Sequence, residues 1–190
     1  MFNRYFVGFA LVLIMIIIGI VLIFGGGEDK KTAVEKTVKP LPTYAETYAE
    51  TSMTIRGEIN GEDIHREIRV TVGQTQRRLD IIAGYSDTVI QTQSYSNSLP
   101  AYREFLYAIA DAGFLAKREV SAAKANPLGK CPIGNLYEFE LNDGGEQLSY
   151  LWTSSCGNSK GTLAVSSSTL QQLFKNQITD YSELTSDVEL

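Results

Sequence analysis

Residues Tyr5 to Phe24 (YFVGFALVLIMIIIGIVLIF) are twenty consecutive positions without a charged side chain. At about 1.5 Å per residue, a helix of that length reaches about 30 Å, the thickness of a bilayer's hydrocarbon core. The run has no polar face, which argues against an amphipathic core helix. Inside lipid every backbone N–H and C=O must be paired within the segment, and a helix does this. Residues 5–24 are therefore expected to form a transmembrane helix behind a short flank (1–4), with the lipid bilayer as their partner. The alternative is a cleaved secretory signal. Its apolar region is usually about 7–15 residues, shorter than this run, but Gly25-Gly26-Gly27 offers small residues for a cut.

The flanking charges pull in two directions. Arg4 precedes the run, while Lys30, Lys31, Lys36 and Lys39 follow it. The positive-inside rule alone would keep the C-terminal side in the cytoplasm, yet long domains cross largely regardless of charge. Two cysteines placed to bond favour the outside, because disulfides persist in oxidising compartments. The expected location is a single-pass cell-membrane protein with its C-terminal domain extracytoplasmic.

The cysteines are Cys131 and Cys156. Between them the chain reads as a β-hairpin. Tyr137, Phe139 and Leu141 alternate with Glu138 and Glu140, and Leu148, Tyr150 and Trp152 alternate with Ser149, Leu151 and Thr153. Asp143-Gly144 suits a two-residue type I′ turn. In that register Phe139 faces Leu148, Tyr137 faces Tyr150, and Cys131 falls opposite Cys156, within disulfide range. A Gly144-Gly145 turn would instead offset the cysteines by two. A bond closing this loop stabilises by about 3.5 kcal/mol in the chain-entropy model. Two cysteines and one distant histidine cannot supply the usual four zinc ligands, so no metal and no cofactor is expected.

Residues 25–49 read as a linker, with three glycines, Pro40, Pro42 and a duplicated Thr-Tyr-Ala-Glu at 43–46 and 47–50. Residues 50–181 have globular composition and suffice for one domain, and 182–190 form an acidic tail. Thr51–Asn60 and Ile64–Gly73 alternate around Asn60-Gly61, with Met53, Ile55 and Ile59 on one inward face. Arg78–Gly84 and Thr88–Tyr95 read as two further strands. Leu99, Tyr102, Phe105, Leu106 and Ile109 recur at three and four, predicting a helix capped by Asn97 or Ser98 and ended by Gly113. A short strand is expected at Gly161–Val165. A second helix is expected from Ser168 to about Ile178, with Leu170, Leu173, Phe174 and Ile178 on one face. The fold class is thus α+β: a two-layer domain of mostly antiparallel sheet with two helices on one face, behind the transmembrane helix.

No catalytic set is complete. His65 alternates with Glu67 and Arg69 and reads as a surface residue on the polar side of a strand. Ser121-Ala122-Ala123-Lys124 matches the serine–lysine pair of penicillin-recognising enzymes without their other elements. Gly157 to Thr162 lacks the Gly-Lys-Thr order and the following helix that a phosphate loop needs. The tyrosines with Trp152 read as core and sheet residues. Lys117, Arg118, Lys124 and Lys130 cluster around one irregular segment, opposed only by Glu119, in a chain of formal charge −5. They are expected to form a local positive surface suited to an anionic envelope polymer, to lipid headgroups or to an envelope protein. The overall charge and expected location argue against nucleic acid.

The segments Gly129-Lys130-Cys131-Pro132-Ile133-Gly134, Leu151-Trp152-Thr153-Ser154-Ser155-Cys156-Gly157 and Leu173-Phe174-Lys175-Asn176-Gln177-Ile178 resemble uncharacterised single-span envelope proteins of small candidate-phylum bacteria. The likeness spans about Thr54 to Tyr181. It implies location and fold, and no activity travels with it. The expected function is a membrane-anchored extracytoplasmic interaction or structural module, without catalysis. A small envelope hydrolase or transferase using His65 as base is the alternative, and a protease-inhibitor-like domain is a third.

Overall fold

A computed structural model describes residues 38–190. The apolar run at 5–24 and the first part of the spacer lie outside the described residues. Among the described residues no helix is long and apolar enough to cross a membrane.

Six strands form one sheet: β1 (Glu50–Arg56), β2 (Arg66–Gly73), β3 (Gln76–Ala83), β4 (Thr88–Ser96), β5 (Leu136–Asp143) and β6 (Glu146–Ser154). Their order is β4-β3-β2-β1-β5-β6, and every neighbouring pair is antiparallel. The two main helices are α1 (Leu99–Asp111) and α3 (Ser167–Lys175), with single turns at α2 (Ala122–Ala125) and α4 (Tyr181–Leu184). The domain is α+β, with the antiparallel sheet and two main helices that its periodicities predict.

Period-two alternation puts Leu79, Val70, Met53, Phe139 and Leu151 in one register row across five strands, each at most 3% exposed. Against this face pack Tyr102, Phe105, Leu106 and Ile109 of α1 and Leu170 and Phe174 of α3. The rings of Phe105, Phe114, Phe139 and Phe174 meet at centroid distances of 5.1–6.2 Å. α1 starts where expected: the Ser98 hydroxyl accepts from Ala101 N at 3.4 Å, and Pro100 needs no partner in the first turn. Gly113 follows its end at φ +83°, where a side chain would be strained.

Five readings need correction. Val38 packs on the core and Leu41, Tyr44, Ala45 and Ala49 belong to it, so the end of the 25–49 spacer is part of the domain. Pro40 and Pro42 open a 3-10 turn (Leu41–Glu46) that buries Leu41, Tyr44 and Ala45. The duplicated tetrapeptide meets two fates: Tyr44 is 6% exposed and Tyr48 90%. Gly161–Val165 is not a strand but joins Lys117 through one isolated bridge at Leu163. A Cβ on Gly161 would lie 2.3 Å from the Trp152 ring, so the chain is pressed flat there. α3 stops at Lys175, earlier than Ile178. Residues 182–190 are not a loose tail: Leu184, Val188 and Leu190 pack on the core.

The β5–β6 register is the fifth correction. The turn is Gly144-Gly145, with φ +58° and +86°, because type I′ needs positive φ at both central positions and glycine supplies it without strain. Leu148 is skipped where the register shifts, so Phe139 faces Leu151 and Tyr137 faces Thr153. Cys131 and Cys156 are not opposed on the ladder, which ends at Leu136 and Ser154. They meet beyond it, where Cys131 turns back at φ +52°, and bond with Cα atoms 5.5 Å apart.

Candidate functional site

The sheet face opposite the helices carries the strands' alternate residues. Two loops fold over one end of it: residues 57–65, joining β1 to β2, and residues 126–135, leading to β5. A backbone bond from Ile59 N to Pro132 O (2.9 Å) fastens them together. Tyr85, in the β3–β4 turn, donates its hydroxyl to Asn60 O at 3.0 Å and accepts from Asn60 N at 3.1 Å. The cover buries polar side chains that alternation alone would leave in water. Glu67 is 3% exposed, Glu138 2% and His65 2%.

His65 is therefore not a surface residue. Its ring stacks on Tyr85 with centroids 4.0 Å apart. Nδ1 lies 2.9 Å from Glu58 O, and a carbonyl only accepts, so Nδ1 carries the hydrogen. Nε2 is left 3.4 Å from Glu67 Oε1. Among the described residues, His65 Nε2 and Glu67 Oε2 are the buried side-chain polar atoms without a hydrogen bond. Both ring nitrogens are buried, Nδ1 on Glu58 O and Nε2 beside Glu67, while the ring itself lines the cavity described next.

Glu67 and Glu138 share one cation. Arg56 Nε is 2.9 Å from Glu138 Oε2 and 3.5 Å from Glu67 Oε1. Tyr150 donates to Glu138 Oε1 at 2.6 Å. Burial first, and then the charge of Glu138, raises the Tyr150 pKa. Burial also raises Glu67 above the ordinary carboxylate value; Glu138 adds to this, while Arg56 and His65 oppose it. The folded protein thus holds the Glu67 proton more tightly than the unfolded chain. Its contribution to stability is full below the ordinary pKa and is lost as pH rises through the raised one. Compared with a Glu67→Gln variant in thermal melts, the wild type is expected to lose stability progressively as pH rises above 4.5, the ordinary value. Parallel curves for the two proteins would contradict this.

Between the two loops and this buried network lies a cavity of about 270 Å³. Its walls are mainly apolar: Ile59, Tyr85, Pro127, Leu128 and Leu136. Ile59, placed inward by alternation, instead sits here, 49% exposed, and Leu128 is 75% exposed.

A second cavity, of about 380 Å³, lies next to it and is lined by Arg118, Lys124, Lys130 and Lys160 together with Trp152 and the turn 157–159. No carboxylate is in its lining. Three of the four cations expected from the sequence thus come together. The fourth, Lys117, is not in the lining and pairs with Glu119 at 3.7 Å. Lys160 takes its place. It had no signal of its own, since its segment read only as a failed phosphate loop.

Each cation is placed by a specific tie. Arg118 N bonds Thr162 O at 2.7 Å, and Ala164 N bonds Ala116 O at 2.8 Å. Lys124 sits on α2, whose Ala125 O accepts the Trp152 indole N–H at 2.7 Å. Lys130 directly precedes Cys131. Lys160 follows Cys156 by a turn that Ser154 Oγ closes on Ser159 O at 2.7 Å. The disulfide thereby holds two of the four charges. Like charges gathered without a counter-charge repel one another, and an anion between them relieves that repulsion.

No protein-family model matches this chain, and no curated protein matches it.

Proposed function

We propose that the protein is a membrane-anchored, extracytoplasmic binding module whose basic cleft takes an anionic component of the cell envelope. The observation that carries this reading is the convergence of Arg118, Lys124, Lys130 and Lys160 on one cavity without a carboxylate, in a chain of net charge −5. Cations scattered over a solvated surface have no reason to exclude acids from their midst. The disulfide supports an oxidising compartment, and the uncharged run at 5–24 supports the anchor. The hydrolase or transferase reading has less support, because both His65 ring nitrogens are buried.

The test is binding of the full-length protein, in lipid nanodiscs, to immobilised polyphosphate. Retention is expected to fall with added salt, as screening weakens exposed charge. Lys124→Ala combined with Lys160→Ala is expected to weaken it by about twofold to thirtyfold, since each exposed charge contributes about 0.2–1 kcal/mol. Lys117→Ala, outside the cleft, is expected to leave it unchanged. Salt-independent retention, or equal loss from Lys117→Ala, would overturn the reading.

A further inference from the structure

Lys130 lines both cavities. The segment Pro127–Lys130 runs between them: Pro127, Leu128 and Gly129 line the apolar cavity, and Lys130 is shared with the basic one. A solvated loop has no need of Leu128 at 75% exposure beside Ile59 at 49%, with Ile133 at 81% two residues beyond the disulfide's first cysteine. Ile59 and Leu128 line one cavity together, and exposed apolar side chains gathered in this way mark a binding surface. A soluble polyanion would leave them unused, and an uncharged apolar ligand would leave four cations unneutralised.

We propose that the two cavities together form one site for a single-chain lipid phosphate. The phosphate sits among Arg118, Lys124, Lys130 and Lys160, and the first part of the chain crosses Lys130 into the space between Ile59, Leu128, Leu136 and Tyr85. This rests on the basic cleft being an anion site, as proposed above, and adds the class of anion. At about 270 Å³ the apolar cavity suits one chain better than a fused-ring body. Its deep end is closed by the His65–Tyr85 stack and by the Arg56–Glu138 pair, whose charges offset each other. The segment Pro127–Lys130 is set before any ligand arrives. The disulfide, the Ile59–Pro132 backbone bond and the Trp152–Ala125 bond hold it on three sides. Little ordering is then left for binding to impose. A bilayer anchor at 5–24 would place the domain beside the source of such a ligand.

The experiment titrates full-length protein, held in amphipol, with inorganic phosphate, butyl phosphate, decyl phosphate and uncharged decyl glucoside. Calorimetry and the emission of Trp152, the chain's single tryptophan, are read against protein-free amphipol. Decyl phosphate is expected to bind at least about tenfold more tightly than butyl phosphate, because each buried methylene adds about 0.8 kcal/mol. Decyl glucoside is expected to give no saturable binding. Leu128→Asp, at an exposed position where the fold is not at stake, should bring decyl phosphate down to the butyl value. Lys124→Ala with Lys160→Ala should weaken both phosphates alike. Equal binding of butyl and decyl phosphate would remove the chain site and leave the anion cleft standing. Absence of any phosphate binding would remove both. Decyl glucoside binding as well as decyl phosphate would remove the requirement for the charged head.

Discussion

Phe174→Ala is expected to destabilise the domain by about 3–5 kcal/mol, the range for truncating a fully buried phenylalanine. Phe174 is 0% exposed and touches rings from three other parts of the chain. It meets Phe105 of α1 edge-on at 5.1 Å and an interplanar angle of 88°. It also contacts Phe114, just beyond α1, at 6.0 Å and Phe139 of β5 at 6.2 Å. Removing it deletes three aromatic contacts, each worth about 0.5–1.5 kcal/mol beyond burial, and leaves a void where helix layer and sheet meet. Urea unfolding monitored by circular dichroism should show a lower midpoint with an unchanged slope. A loss below about 1 kcal/mol, the typical effect of an arbitrary point mutation, would mean that the helices do not depend on this cluster.

Cys131→Ser paired with Cys156→Ser is expected to lose about 3.5 kcal/mol, the chain-entropy value for a cross-link spanning 25 residues. Domains of this size are stable by about 5–15 kcal/mol, so this is a large share. Reductant should lower the unfolding midpoint of the wild type and leave the double variant where it is. The same variant should bind phosphate more weakly, because the bond holds the loops that carry Lys130 and Lys160. Unchanged unfolding with and without reductant would show that the cross-link constrains nothing the fold does not already fix.

Both helices were readable from sequence because their apolar residues repeat with the helical period on one buried face: Tyr102, Phe105, Leu106 and Ile109 in α1, Leu170 and Phe174 in α3. The strands were equally plain where Met53, Val70 and Phe139 alternate with polar neighbours. The hairpin register was ambiguous because Asp143-Gly144 and Gly144-Gly145 are both good turn doublets, and the skipped Leu148 leaves no mark in the pattern. The site was harder still. Alternation reports which side of a strand a residue occupies, and it placed His65, Glu67 and Glu138 on the polar side. It carries no information about loops 57–65 and 126–135 closing over that side and drying it. Arg118, Lys124 and Lys130 were found by their closeness in sequence. Lys160 was not, because only the cross-link and the Trp152 packing bring it to them.

The position of β1 has a mechanical consequence. Among the described residues it is the first strand in the chain, yet it lies in the middle of the sheet, with seven residue pairs to β2 on one side and seven to β5 on the other. Tension transmitted from the N-terminal segment would have to shear two ladders at once instead of unzipping an edge. A body tethered by that end can be tugged hard before its sheet gives way.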